Sequence, residues 1–385
     1  MRRRRWAVAG LALLLALGLL YGSAHLLTGR YAWARAVAWL ESDTGDQHRF
    51  PARTIEAGDR ASELATGFAP EALTAPVNAG GVGRSLDAFL EGTGTTAFLV
   101  VHRDRLVLER YFGGYGDEDL QTSFSAAKSF LSTLVGIAAD EGLLSTSDPV
   151  TTYLPELGER DERFARITIG DLLTMSSGIR YAEEGMPWSD DALTYYGTDL
   201  RELALTHTEV EEEPGRTWRY DNYHPLLLGL VLERVTGGSV AEFMAERLWQ
   251  PLGAEADATW SLDSERSGFE KMESGLNIRP RDYARFGLMM LHDGRWNGQR
   301  IVSRDWVRSA TVASTGTDPA DFYQYLWWVG PQRAGERAPF FALGKYGQVV
   351  AVFPAEDVVV VRLGATDGGV DWQSWLARVA ARVSG

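Results

Sequence analysis

Residues 122–142 read TSFSAAKSFLSTLVGIAADEG, and the interpretation of the chain grows from Ser125-Ala126-Ala127-Lys128 near their start. Leu131, Leu134, Val135 and Ala138 follow the i, i+3, i+4, i+7 spacing of one helical face. Thr122 or Ser123 can cap the start of that helix, and Gly142 can end it. Ser125 and Lys128 then stand one turn apart on one side. They sit in the first turn, where free N–H groups and the helix dipole favour a developing negative charge. A serine hydroxyl needs a neighbouring base before it attacks a carbonyl, and a desolvated amine can fill that role. Alone, S-x-x-K turns up roughly once by chance in a chain of this size. A capping serine beside a solvated lysine explains it as well, so the pair gains meaning only from its company.

Two further motifs supply that company. Tyr220-Asp221-Asn222 follows the turn signal Pro214-Gly215 and precedes Pro225, a good early residue for a helix through 226–235. If the triplet is extended, Tyr220 and Asn222 point the same way. A tyrosine beside an amine can shuttle protons, and an asparagine can hold a substrate carbonyl or the lysine. Taken alone, a packed aromatic beside a turn asparagine accounts for the triplet. Lys345-Tyr346-Gly347 opens a strand over 347–353. Its glycine lets a substrate backbone come close, and the N–H of Gln348 can join that of Ser125 as an oxyanion hole. The bland alternative is a glycine turn entering a strand.

In this order S-x-x-K, Y-x-N and K-x-G resemble the signature of the serine β-lactamase and penicillin-binding-protein superfamily. The arrangement is most similar to class C β-lactamases, family VIII carboxylesterases and 6-aminohexanoate-oligomer hydrolases. Residues 169–178, IGDLLTMSSG, resemble that group's LLTMTSG segment. Residues 214–237 resemble its PG…YxN…LLG…TG stretch, and 282–306 its DLARFGLLLL..G.W.G..I stretch. The resemblance runs from about residue 89 to the C-terminus. It implies that Ser125 is acylated, that neutral Lys128 activates it, and that activity falls at acid pH. It also implies that Tyr220 assists proton transfer to the leaving group and the deacylating water. Asn222 and the wall of Lys345, Tyr346, Gly347 and Gln348 would bind substrate, with the N–H groups of Ser125 and Gln348 as the oxyanion hole. Tyr346 departs from the hydroxyl residue that β-lactamases place in the third motif, which argues against efficient β-lactam hydrolysis. Gly344-Lys345-Tyr346-Gly347-Gln348 is closer to the G-x-x-G-Q of the 6-aminohexanoate-oligomer hydrolases and leaves the catalytic part of Lys345 open.

Composition narrows the alternatives. The 385 residues are 45% hydrophobic and 23% charged, ordinary for a globular chain. The net charge of −14 argues against a nucleic-acid partner. The absence of cysteine excludes disulfides, thiolate nucleophiles and cysteine-based metal sites. With six histidines and no H-E-x-x-H, neither a metal nor a cofactor is expected. Of the 38 basic residues only Lys128, Lys271 and Lys345 are lysines. A chain that otherwise uses Arg places Lys where an amine must trade a proton. No G-x-S-x-G elbow is present, which disfavours a Ser-His-Asp hydrolase.

Arg2 to Arg5 precede an apolar run over 6–27, long enough to span a hydrocarbon core. This predicts a membrane anchor with the catalytic domain outside the cytoplasm, or a secreted protein if the run is cleaved near Gly22-Ser23-Ala24. Residues 28–80 read as a connecting segment with a short helix at 31–40, and 81–385 as the hydrolase domain. Hairpins are expected around Arg103-Asp104-Arg105 and around 354–357, and a closing helix at 372–383. The expected fold is an α+β sandwich: an antiparallel sheet built from both ends of the chain (81–130 and 266–385), flanked by helices, with an all-helical subdomain inserted at 131–265. Residues 181–196, with Glu183, Glu184, Trp188, Asp190, Asp191, Tyr195 and Tyr196, suit an aromatic lid whose acids favour an amine-bearing substrate, or a solvated acidic loop. Three functions remain: an esterase or amidase of small substrates, a D,D-peptidase or peptidoglycan-related amidase, and a silent binding or sensor protein.

Overall fold

The computed structural model describes residues 6, 10–19, 33–74, 77–79, 82–183, 189–312 and 319–385. The elements that bear on the site begin with helix α1 (Trp33–Trp39), strand β1 (Ala52–Ile55), α2 (Leu86–Gly92), β2 (Thr95–His102), β3 (Arg105–Tyr111), β4 (Gln121–Thr122) and α3 (Ala127–Asp140). They continue with α4 (Asp190–Tyr196), α5 (Tyr223–Thr236), β5 (Ala258–Ser261), β6 (Leu276–Ile278) and α6 (Pro280–Leu291). The last are β7 (Tyr323–Gln324), β8 (Trp327–Val329), β9 (Phe340–Gly344), β10 (Gln348–Phe353), β11 (Val358–Gly364) and α7 (Trp372–Ser384).

The main sheet runs β7-β8-β9-β10-β11-β2-β3, with every neighbouring pair antiparallel. The first and last parts of the domain meet where β11 pairs with β2, from Val358 opposite His102 to Leu363 opposite Ala97. Alternation decides what each face covers. Leu99, Val101, Val350, Val352, Val359 and Val361 pack with Phe130 and Leu134 of α3 and Phe286 of α6. Phe98, Val100, Val349, Ala351, Val358 and Val360 pack with Phe89 of α2 and Trp375 and Leu376 of α7. With helices on both faces, β11 is buried along its whole length, which is why its sequence, VVVVRLG, lacks polar alternation. This is the expected α+β sandwich.

The β2–β3 turn has Arg103 and Asp104 at φ 49° and 60°, a two-residue turn whose twist matches the strands it joins. The second hairpin joins β10 to β11, and the closing helix is α7. A smaller sheet, β1-β5-β6-β4, stands beside the start of α3. Between β4 and β5 the described residues form helices and loops, with no strand beyond isolated bridges. α3 passes through residue 131 without a break.

The membrane expectation requires correction. Among the described residues no helix is long and apolar enough to cross a membrane. Residues 1–5, 7–9 and 20–27 of the expected anchor lie outside the described residues. The transmembrane helix, the membrane as partner, and the placement of the catalytic domain outside the cytoplasm that rested on them are withdrawn.

Candidate active site

The turn that presents Ser125 is tighter than a capped helix start. Residues Phe124–Ala126 form a 3₁₀ turn that runs into α3, and Phe124 is held at φ 43°, a costly conformation for a bulky residue. Ser123 does not cap the helix; its hydroxyl donates to the carbonyl of Phe124 (2.9 Å), and its N–H donates to Leu276 of β6 (2.8 Å). The small sheet therefore grips the chain just before Ser125. β9 grips it from the other side: a Cβ on Gly344 would fall 2.1 Å from the Ser123 carbonyl oxygen and 3.2 Å from Phe124 Cβ. Only a residue without a side chain lets β9 lie so close.

Lys128 is almost fully buried in the first turn of α3. Its Nζ donates to Ser125 Oγ (3.0 Å) and to the main-chain carbonyl of Glu273 (2.8 Å), and lies 4.9 Å from the centre of the Tyr220 ring. The other two lysines are paired with carboxylates, Lys271 with Glu273 and Lys345 with Glu41. Lys128 faces a hydroxyl, a carbonyl and an aromatic ring instead. Tyr220 is stacked on Trp328 (5.9 Å) and meets Tyr323 edge-on (6.2 Å), so its ring is fixed beside the amine. The structure thus brings Ser125, Lys128 and Tyr220 together from a turn, a helix and a loop.

Asn222 stands at the head of α5, with Asp221 fully buried behind it. The Asn222 amide donates to Tyr181 Oη (2.8 Å) and approaches Asp191 Oδ1 (3.2 Å) and Thr194 Oγ1 (3.3 Å). It thereby ties the Y-x-N loop to α4, while its carbonyl oxygen is buried without a protein partner. Both Asn222 and Asp191 line a cleft of about 370 Å³ that also receives Ser125, Phe124, Tyr195, Tyr196 and Lys345. A second cavity of about 360 Å³, among Pro331, Phe353 and Ala377, contains no comparable serine–lysine pair. Of the expected lid, Asp191, Tyr195 and Tyr196 border the cleft; Glu184 and Trp188 lie outside the described residues.

The third motif is a hairpin turn between β9 and β10, with Tyr346 at φ 61° and Gly347 at φ 72°. Lys345 reaches the cleft, where its ammonium contacts the Glu41 carboxylate and donates to Ser42 Oγ (2.8 Å). Tyr346 packs edge-on against Phe124 (5.6 Å) and donates to the Ser42 carbonyl (2.6 Å). Gly347 is pressed against Arg362 and Trp372. Gln348 points elsewhere: its N–H donates to the Lys345 carbonyl, and its buried amide bonds both ways to Gly364 (2.6 and 3.0 Å). The N–H expected to complete an oxyanion hole is thus already engaged.

Sequence reading missed Glu273 and residues 40–42. Glu273 orients Lys128 through a main-chain carbonyl, which no side-chain motif reports. Its side chain accepts from Lys271 (2.7 Å), whose ammonium also donates to the Tyr195 carbonyl (2.5 Å) at the end of α4. The scarcity of lysine was the available signal for Lys271.

Comparison with known proteins agrees with this geometry. The family profile described as Beta-lactamase matches residues 84–383. A 6-aminohexanoate-dimer hydrolase of Paenarthrobacter ureafaciens is 29% identical over 305 residues, covering 73% of this chain and 75% of its own. Among solved structures, a Bacillus anthracis protein provisionally named a 6-aminohexanoate-dimer hydrolase superposes with a TM-score of 0.76 at 24% identity, covering 89% of this chain and 93% of its own. A penicillin-binding protein of Bacillus halodurans superposes with a TM-score of 0.62 at 18% identity, covering 78% and 99%. With the profile matched from α2 into α7, and Lys128 and Tyr220 gathered behind the Ser125 that faces the cleft, the chain belongs to the beta-lactamase family, a family of hydrolases on this fold.

Proposed function

We propose that the protein is a serine hydrolase that cleaves ester or amide bonds of small, amine-bearing substrates through an acyl-enzyme on Ser125. The observation that carries the proposal is the 3.0 Å contact between the buried Lys128 Nζ and the Oγ of Ser125, which faces an open cleft. Lys128 takes the Ser125 proton as Oγ bonds to the substrate carbonyl carbon. The resulting oxyanion is held by main-chain N–H groups, that of Ser125 and one from the end of β9, which lies against the Ser123–Phe124 turn. Collapse expels the amine or alkoxide, which is protonated through Lys128 and Tyr220. Water, deprotonated along the same route, then attacks the acyl carbon and returns Ser125 to its hydroxyl.

The charge of the cleft supports an amine-bearing substrate. Glu41 and Glu273 are neutralised by Lys345 and Lys271, whereas the Asp191 carboxylate is exposed and, among the described residues, is bonded by the neutral Asn222 and Tyr181. A substrate ammonium would pair with it. The Paenarthrobacter relative is named for a linear amide that bears such an ammonium.

The test is intact-mass spectrometry after incubation with a fluorophosphonate. One adduct on the native protein and none on Ser125→Ala is expected. No adduct on folded native protein would refute an activated Ser125 and favour a silent binding protein.

A further inference from the structure

The segment around Glu41 lies outside the family match, which begins at residue 84, yet it forms part of the cleft wall. Its backbone is pinned on both sides of Glu41. Tyr196 of α4 donates to the Leu40 carbonyl (2.5 Å), and Tyr346 of the β9–β10 turn donates to the Ser42 carbonyl (2.6 Å). α1, immediately before, packs its Trp39 edge-on against Tyr196 (6.1 Å) and Phe50 (5.0 Å). The partner is equally fixed. Arg362, fully buried, donates to the Tyr346 carbonyl (2.5 Å) and the Gly347 carbonyl (3.0 Å), which holds the turn that bears Lys345. Two pinned backbones therefore bring the Glu41 carboxylate onto the Lys345 ammonium at the cleft, with Ser42 Oγ as second acceptor.

This pair is not needed to hold the fold. The Glu41 side chain is 77% exposed and that of Lys345 39%. Exposed pairs of this kind contribute little to stability. Their position is what matters, because Lys345 is the one cation among the described residues that line the cleft. A substrate carboxylate entering the cleft would seek that ammonium and finds a carboxylate of the protein already on it.

Resting on the function proposed above, we infer that Glu41 is a specificity-determining residue of the Ser125 cleft. By occupying Lys345 it disfavours substrates that carry a carboxylate near the scissile bond, and with Asp191 it directs the enzyme to cationic or uncharged ones. The chain would then depart from hydrolysis of zwitterionic ω-amino-acid dimers and prefer the same amides with the terminal carboxylate blocked.

The experiment compares kcat/KM for two matched pairs on the full chain: 6-aminohexanoate dimer against its terminal carboxamide, and mono-p-nitrophenyl glutarate against p-nitrophenyl butyrate. Glu41→Gln keeps an oxygen to accept from Lys345 and removes only the charge. It should raise the anionic-to-blocked ratio by about fivefold in at least one pair, the scale of one exposed ion pair. The gain should shrink as salt is raised and disappear in Glu41→Gln/Lys345→Met. Turnover with unchanged ratios in both pairs overturns the role of Glu41 and leaves the hydrolase reading intact. No turnover of any of the four substrates by native protein overturns both.

Discussion

Gly344→Ala tests whether β9 sets the position of the nucleophile. The glycine has an extended backbone, φ −132° and ψ 162°, which any residue adopts, so the substitution carries no conformational penalty of its own. Its whole effect comes from the added methyl. That carbon would sit 2.1 Å from the Ser123 carbonyl oxygen, 3.1 Å from Gln348 Cβ and 3.2 Å from Phe124 Cβ. The first contact sets a Cβ, whose position no rotamer changes, against a main-chain oxygen. It must open to about 3 Å, which moves β9 or the Phe124–Ala126 turn by nearly 1 Å. Overpacking on this scale costs about 1–3 kcal/mol of stability. A shift of ~1 Å in a reacting group lowers turnover by about 100-fold. The assay is ester hydrolysis under single-turnover conditions, with thermal unfolding measured in parallel. Gly92→Ala serves as control: it lies in α2, and the nearest atom to its added methyl is a guanidinium nitrogen at 3.9 Å. The control should keep full activity. Acylation by Gly344→Ala within twofold of native, at native stability, would refute the idea that close approach of β9 places Ser125.

Three further outcomes are expected. Tyr220→Phe should slow deacylation by about 100-fold or more while weakening substrate binding little, since general acid–base groups contribute on that scale; unaltered burst and steady-state rates with several esters would remove Tyr220 from the mechanism. His224 is fully buried beside Ser177, and burial, with the charge of Arg219 adding to it, pushes its imidazole down to about 3. Above pH 6.5 it is neutral folded and unfolded; as pH falls from 6.5 toward 3 only the unfolded chain gains the proton, so stability is lost by about 1.4 kcal/mol per unit. Burial pushes the carboxyl of its neighbour Asp221, 3.5 Å away, up, so Asp221 acts in the opposite sense. Urea unfolding of native protein and His224→Asn between pH 7 and pH 4 isolates the histidine, and equal pH slopes would refute its part. Asp191→Asn should raise KM for amine-bearing amides several-fold and leave neutral esters unchanged, measured by initial rates; an equal effect on both would show that Asp191 serves only to hold Asn222.

Local patterns carried much of the fold. The spacing of Leu131, Leu134, Val135 and Ala138 specified α3, and with it the one-turn separation of Ser125 and Lys128. The valine-rich run at 358–363, with 347–353 before it, signalled the second hairpin of the sheet. Where the reading failed, a distant partner or an unusual backbone decided the outcome. Thr122 or Ser123 was expected to cap α3, but Phe124 at φ 43° inserts a tighter turn with no side-chain cap. Gln348 was expected at the cleft, but its N–H is taken by Lys345 and its side chain by Gly364. The apolar N-terminal run was read by composition alone, and among the described residues no helix is long and apolar enough to cross a membrane.

The sequence by itself determined that a serine stands three residues before a lysine at the start of a helix, that a tyrosine and an asparagine follow on a loop, and that the sheet is antiparallel. These depend on backbone sterics and on the period at which apolar side chains recur, both of which act over a few residues. Only the tertiary structure decided that Glu273, 145 residues away, turns its carbonyl to Lys128, and that Glu41, 304 residues away, occupies Lys345. Those contacts form because packing brings remote backbones to hydrogen-bonding distance, and neither the periodicity nor the composition of either segment encodes which partner it will meet.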